Sequence, residues 1–240
     1  MSSSNKKPEI SIFECIDGAK HAKDFTVIID VFRAFSLEAY LFSRGTKCIY
    51  AVGKEETARK LKQENSDYIL IGERSGIICE GFDFGNSPSQ TSNFDFKGKT
   101  VVHTTSAGTQ GIINAKNASE IVTGSLVNSK AIANYILKKN PNFVSLVCMG
   151  WNGIESAPED TICANYIKSV VNGEKFDMKS ELEKLKVHPT CKRFFEEKTQ
   201  KIFPEKDYYM CTDVDKFNFV LKVEKVNEDV FKVGKFEMEE

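Results

Sequence analysis

The acids and arginines of this 240-residue chain that could do chemistry stand where apolar runs stop. Asp30 closes FTVIID and is followed by VFRAFS, which puts Arg33 three residues on. Glu73 and Arg74 close YILIGER. Thr104, Thr105, Ser106, Gly108 and Thr109 belong to TTSAGT, which follows another apolar run. Glu159 and Asp160 come directly after Pro158 in GWNGIESAPED. The stretch GFDFGNSPSQ, Gly81–Gln90, is longer than a plain connector needs, and its Asp83, Asn86 and Ser87 can donate and accept hydrogen bonds around a small polar ligand. Asp30, Glu73 and one of Glu159 or Asp160 are the hard oxygen donors that Mg²⁺ prefers, and the ion would bridge to phosphate oxygens. A guanidinium fork suits two-point binding of phosphate, sulfonate or carboxylate. A small-residue turn running into a helix offers N–H groups and hydroxyls to an anion.

Each feature has an ordinary structural alternative. Arg33 and Arg74 could pair with Asp30 and Glu73 as internal salt bridges. TTSAGT could be a helix cap, and acids behind a proline in a first helical turn are favoured by the helix dipole. Asn and Asp in the long loop could form local turns. The count of arginines sharpens the choice: there are five, at 33, 44, 59, 74 and 193, and two lie within three residues of a strand-end acid.

The elements that must position these groups alternate in kind. FTVIID, CIYAV, YILIG, TVVHTT, EIVTG and FVSLVCMG read as strands, nearly continuous in apolar character as strands covered on both faces should be. Helical patterns run over Phe35–Ser43, Lys54–Glu64, Thr109–Lys116, Asn128–Lys138 and Glu159–Val171. The expectation is an α/β fold, three layers α/β/α around a mostly parallel or mixed sheet, with ligands beyond the carboxyl ends of the strands. Past Gly173 the stretch KSELEKLKVHPTCKRFFEEKTQKIF reads as charged helix, and FNFVLKVEKVNEDVFKVGKFE as a β-hairpin turning at Asn227–Asp229. With no linker or low-complexity tract, residues 1–240 are expected to form one domain, with 1–8 disordered and 179–240 as a C-terminal appendage.

Composition narrows the function. Hydrophobic residues make up 41%, enough for a sizeable core, and the formal net charge is −1, so there is no basic field to hold nucleic acid or an anionic membrane. No apolar run approaches a membrane span, and the polar start MSSSNKKPE lacks a secretion signal's core. A cytoplasmic location is expected. Seven scattered cysteines with no C-x-x-C pair read as reduced, buried thiols. His21, His103 and His188 are too far apart to suggest a zinc site. No G-x-x-x-x-G-K-[ST] occurs, so TTSAGT is not a P-loop.

Taken in order, DVFRAFS, GERSG, GFDFGNSP, TTSAGT and G…SAPEDTICA resemble the 2-phosphosulfolactate phosphatase family over about the first 170 residues. CTDVDKFNFVLKV is similar to the family's closing segment. The resemblance implies a magnesium-dependent phosphatase whose type reaction converts 2-phospho-3-sulfolactate to 3-sulfolactate and phosphate on the route to coenzyme M. It also implies an α/β fold unlike that of the haloacid dehalogenase phosphatases, whose Asp-x-Asp is missing here because Phe32 stands two residues after Asp30. Two departures stand out: Phe35 where a Thr or Ser is expected, and TTSAGT in place of Thr-Thr-Asn-Gly-Thr.

The expected scheme is metal-assisted hydrolysis. Asp30, Glu73 and Glu159 or Asp160 hold Mg²⁺. Arg33 and the TTSAGT backbone and hydroxyls hold the phosphate. Arg74, Asn86 and Ser87 hold the far anionic end. Water, or less favourably Asp30 itself, is the nucleophile. The alternatives are a non-catalytic binder of a small phospho- or sulfo-acid, with Phe35 marking a lost contact, and a plain interaction domain without a ligand pocket. Chain size suggests a homodimer.

Overall fold

The computed structural model describes residues 7–238. The expected disorder of residues 1–8 falls, for 1–6, outside the described residues; Lys7 and Pro8 are placed, and Pro8 is buried.

A single ten-stranded mixed sheet carries the molecule. In chain order its strands are β1 (Glu9–Glu14), β2 (Lys23–Ile29), β3 (Cys48–Val52), β4 (Ile69–Arg74), β5 (Ile77–Ile78), β6 (Thr100–Thr104), β7 (Asn117–Gly124), β8 (Phe143–Cys148), β9 (Phe219–Lys225) and β10 (Val230–Glu237). The helices are α1 (Cys15–His21), α2 (Ala34–Ser43), α3 (Glu55–Glu64), α4 (Gly108–Asn114), α5 (Ser129–Lys139), α6 (Pro158–Asn172), α7 (Met178–Val187) and α8 (Glu205–Cys211). The spatial order β1-β8-β2-β7-β9-β10-β3-β6-β4-β5 contains two parallel blocks, β1-β8-β2-β7 and β3-β6-β4.

Residues of β2 show why the sheet sits between two helical layers. Successive side chains of a strand point to opposite faces. Ile28 enters one core with Leu37, Ile49, Ile112 and Leu221, beneath α1, α2 and α4. Val27 and Ile29 enter another with Ile132, Leu146 and Ile167, beneath α5 and α6. Helix α3 covers the outer face of the second block through Ala58 against Leu70 and Val102. Helix α2 is buried at every position from Ala34 to Phe42, as a helix apolar nearly all round must be.

Of the stretch 179–240 expected as an appendage, the hairpin of β9 and β10 lies instead at the centre of the sheet. Strand β9 pairs antiparallel with β7, and β10 pairs antiparallel with β3, so the hairpin joins the two parallel blocks. Its turn is where the sequence places it, with Asn227 accepting from the N–H groups of Asp229 and Val230. The three antiparallel steps leave the blocks running in opposite senses. Sheet twist of about 20–25° per strand accumulates to well over 90° across the five steps from β2 to β6, which swings the carboxyl ends of both blocks toward one mouth. Elements before Phe25 went unforeseen: β1 adds an edge strand parallel to β8, and α1 packs on α4.

Candidate active site

The strand ends close on a small cavity of about 20 Å³. Asp30 and Arg33 reach it from the end of β2, Glu73 from β4, Asn86 from the 81–90 loop, Ser106 from the end of β6 and Trp151 from the end of β8. The larger groove walled by Ile113, Lys116, Val223 and Phe231 has acids, Glu120 and Glu228, but no arginine.

Asp30 is buried, and its Oδ1 accepts the Ala34 N–H at the start of α2, 3.1 Å away. Burial lifts its pKa to about 7. The Ala34 hydrogen bond and His103 oppose that rise, while the negative charges of Glu73 and Glu159 add to it. A Cβ on Gly108 would stand 2.9 Å from Asp30 Oδ2 and 3.0 Å from the Phe35 ring. Glycine at the start of α4 therefore lets that turn close over the carboxylate.

Glu73 ties two loops together. Its Oε1 accepts the Ser106 N–H at 2.7 Å and its Oε2 the Gly76 N–H at 2.6 Å. That arrangement alters the expected role of TTSAGT. The Ser106 N–H goes to Glu73, the Thr105 N–H to Thr109 Oγ1 and the Thr109 N–H to Thr105 Oγ1. Thr105 and Thr109 thus cap their own turn, and the groups expected to cradle an anion are largely occupied. Ser106 and Ala107 are the members of the motif that line the cavity; Thr104 is buried and accepts from Arg74.

The two acids of α6 separate clearly. Asp160 Oδ1 accepts the Val31 N–H and Oδ2 the Gly150 N–H, both at 2.8 Å, so Asp160 binds the β2 and β8 loops to each other. Burial, with Asp30 and Glu159 nearby, pushes its pKa well up. Glu159 is also buried, and burial raises its pKa against the pull of Arg193. Its Oε2 has no hydrogen-bond partner, and it lines the neighbouring hollow. Gly150, at φ +65°, holds the intervening turn where a Cβ would lie 2.0 Å from the Glu155 carbonyl.

The arginines do not pair as the salt-bridge alternative supposes. Arg33 is bound 2.7 Å from Asp207 Oδ2 and donates to the Ile202 carbonyl. Asp207 also accepts from Ser87 Oγ and the Ser89 N–H. Ser87 therefore supports Arg33 through Asp207 instead of facing a ligand. Arg74 does not line the cavity. It lies 3.5 Å from Glu55 and donates to Thr104 Oγ1 and the carbonyls of Gly53 and Glu73, which turns it away from the far-end role expected of it. Asn86 does line the cavity, and its Oδ1 has no partner. Sequence reasoning misses Asp207 and Arg193: Arg193 sits inside the charged stretch after Gly173 and Asp207 just beyond it, and the rarity of arginine is the one available hint.

Phe35 is buried in the core beneath α1, α2 and α4 and does not line the cavity. The binder reading, which made Phe35 the mark of a lost contact, loses that support. Phe35→Leu should cost about 1 kcal/mol of stability and leave turnover as it was; a lost turnover in a folded variant would place the ring at the site after all.

Among the described residues no group of three His, Cys, Asp or Glu side chains is arranged to hold a metal ion. The set expected for Mg²⁺ is therefore not a ready cage, because Glu73 and Asp160 spend both oxygens on backbone N–H groups. Mg²⁺ usually takes only one or two carboxylates and completes its shell with water and phosphate. Asp30 and Glu159 fit that sparser mode: Glu159 keeps a buried oxygen without a partner, and Asp30 stands among the like charges of Glu73 and Glu159.

A mixed sheet that brings acids and an arginine from several strand ends to one small cavity is the framework of an α/β enzyme acting on a compact anion. The family model described as 2-phosphosulpholactate phosphatase matches residues 13–226. A Bacillus subtilis (strain 168) protein named probable 2-phosphosulfolactate phosphatase is 30% identical over 208 residues, covering 85% of this chain and 89% of its own. Proteins of the same name from Caldanaerobacter subterraneus subsp. tengcongensis and Clostridium acetobutylicum are 31% identical over 211 residues (82% of this chain, 86% of the other) and 40% identical over 146 (60% and 61%). The chain belongs to the 2-phosphosulfolactate phosphatase family and is a phosphoric monoester hydrolase.

Among the described residues no helix is long and apolar enough to cross a membrane. All seven cysteines are free thiols, and only Cys15 is not buried.

Proposed function

We propose that this phosphatase hydrolyses 2-phospho-3-sulfolactate to 3-sulfolactate and phosphate, the reaction that serves coenzyme M synthesis, and that it does so with Mg²⁺ in the cytoplasm. The observation that carries the reading is the meeting of Asp30, Glu73 and Arg33 in one cavity of a chain whose relatives are named for this substrate. Free thiols throughout suit a reducing compartment.

Asp30 and Glu159 are the residues that would hold Mg²⁺, and the bound ion would supply Lewis-acid polarisation of the phosphoryl group and a water of lowered pKa. Arg33, fixed by Asp207, places its positive charge against the phosphate oxygens. Glu73 fixes the Ser106 turn that walls the phosphoryl group. Asn86 offers its amide to the substrate from the opposite loop. The Trp151 and Phe203 rings narrow the mouth and limit bulk water at the reacting atom.

A panel of phosphate esters with and without Mg²⁺ tests the reading. Phosphate release from 2-phospho-3-sulfolactate should exceed that from simple alkyl phosphates by about 100-fold or more, stop in chelator and return with Mg²⁺. Undiminished turnover in chelator would remove the metal from the scheme, and equal rates across the panel would remove the substrate.

A further inference from the structure

Deepening the proposed phosphatase reading, and resting on it, we propose that Arg193 is the specificity-determining residue of the site: it receives the anionic group of the substrate that is not transferred. Arg193 lies in the short 3₁₀ segment Pro189–Phe194. Its guanidinium carbon is 4.3 Å from the Trp151 ring centroid, 5.1 Å from that of Phe203 and 5.4 Å from that of Phe194. Arg33 stands 4.9 Å from the same Phe203 ring. The two guanidinium groups thus share one aromatic partner, Arg33 in the catalytic cavity and Arg193 in the hollow beside it. Phe32, Gly150 and Trp151 form a wall common to both.

Elimination among the arginines singles out this one. Arg33 is bound to Asp207, Arg44 to Thr91, Arg59 to Glu55 and the Glu80 carbonyl, and Arg74 to Glu55 and Thr104. Among the described residues the Arg193 guanidinium is held by aromatic faces alone, and its Nε is buried without a hydrogen-bond partner. Glu159 is the opposite charge that acts on it, yet Glu159 Oε2 is itself unpaired. Stacking covers the faces of a guanidinium and leaves its edge, which carries all five N–H donors, for a ligand. Buried donors are almost always satisfied, so the buried, unpartnered Nε beside the catalytic cavity is placed to donate to an oxyanion that arrives with the substrate. Lys192 and Thr190 line the same hollow and add donors to it, opposite the carboxylates of Glu155, Glu159 and Glu196. A sulfonate and a carboxylate both match this chemistry.

The experiment compares wild type with Arg193→Met on four esters: 2-phospho-3-sulfolactate, 2-phospholactate (carboxylate only), 2-(phosphooxy)ethanesulfonate (sulfonate only) and ethyl phosphate (neither). The ratio of kcat/KM for 2-phospho-3-sulfolactate over ethyl phosphate should fall by about 30-fold or more, chiefly through KM. Whichever single-anion ester shows the same fall identifies the group that Arg193 holds. Arg193→Lys, which keeps the charge without the fork, should recover only part of the ratio. Calorimetric binding of 3-sulfolactate, which needs no turnover, should weaken in parallel in Arg193→Met. An equal loss on all four esters, or unweakened 3-sulfolactate binding, overturns the assignment. Failure of the phosphatase reading would look different, with wild type releasing phosphate from no ester, and the 3-sulfolactate titration would still decide the role of Arg193.

Discussion

Asp30→Asn protein should, without metal, melt several degrees above the parent at pH 8, and with Mg²⁺ supplied its phosphate release should fall by about 10³-fold or more. Both effects come from one carboxylate. Unfolded, it titrates near the ordinary aspartate value of about 3.9; in the fold its pKa is about 7, because burial and then the charges of Glu73 and Glu159 disfavour the ionised form. Between these values the folded state holds a proton that the unfolded state has released. The Asp30 contribution to stability is therefore fully present below about pH 4 and is lost as pH rises through about 7. The rise from the ordinary value to about 7 corresponds to about 4 kcal/mol. Asp160 and Glu159 are shifted the same way and steepen the slope. Asparagine keeps the acceptor for the Ala34 N–H and removes the charge, so it relieves the repulsion and deletes the functional group together. Thermal melts from pH 5 to 9 decide the matter. The parent's Tm should fall with rising pH and the variant's should fall less, and Mg²⁺ at pH 8 should raise the parent's Tm more than the variant's. A parent Tm that climbs between pH 5 and 8 would refute the account.

How much of this could be read beforehand depended on the range of each interaction. Asp30 and Glu73 were legible because an acid at the end of a doubly covered strand has one place to go, the carboxyl edge of the sheet. The strands and helices from Phe25 to Val171 were legible for a similar reason, since their apolar periodicity reports local burial. Pairing was not. Nothing near Arg33 announces Asp207, 174 residues away, and nothing near Glu73 says that its oxygens will take the N–H groups of Gly76 and Ser106. The hairpin was seen as a hairpin, but its place between β7 and β3 is a long-range choice that alternation cannot specify. Arg193 lay hidden in a stretch rich in Lys and Glu, where a solvated helix was the natural reading. Phe35 shows the converse: as a departure from the family pattern it looked functional, whereas its ring completes the packing against Gly108.

Asp207→Ala should lower Tm by about 6–20 °C, from a loss of about 3–5 kcal/mol in a chain of this size. Asp207 is completely buried in α8, and three donors converge on it: Arg33 Nη1 at 2.7 Å and, at 2.9 Å each, Ser87 Oγ and the Ser89 N–H. The buried pair as a whole does not have to stabilise the fold, but removing one member leaves the Arg33 cation in a dry site with its charge uncompensated. The same truncation frees the 81–90 loop, which Asp207 fastens through Ser87 and Ser89, and so releases Asn86 from the opposite wall of the cavity. Activity should fall beyond what unfolding explains, since a displacement of about 1 Å at a positioned group can cost 10²-fold. Asp207→Asn separates the two effects. It keeps an acceptor for Ser87 and Ser89 but no anion for Arg33, so it should retain more stability than the alanine variant while KM still rises. If Asp207→Ala melted with the parent, Arg33 would have to find its counter-charge elsewhere, and Asp30 and Glu73 are the acids within that cavity. The centre that hydrolyses the phosphate ester would then be built from the first half of the chain alone, and α8 would be the appendage that its sequence suggests.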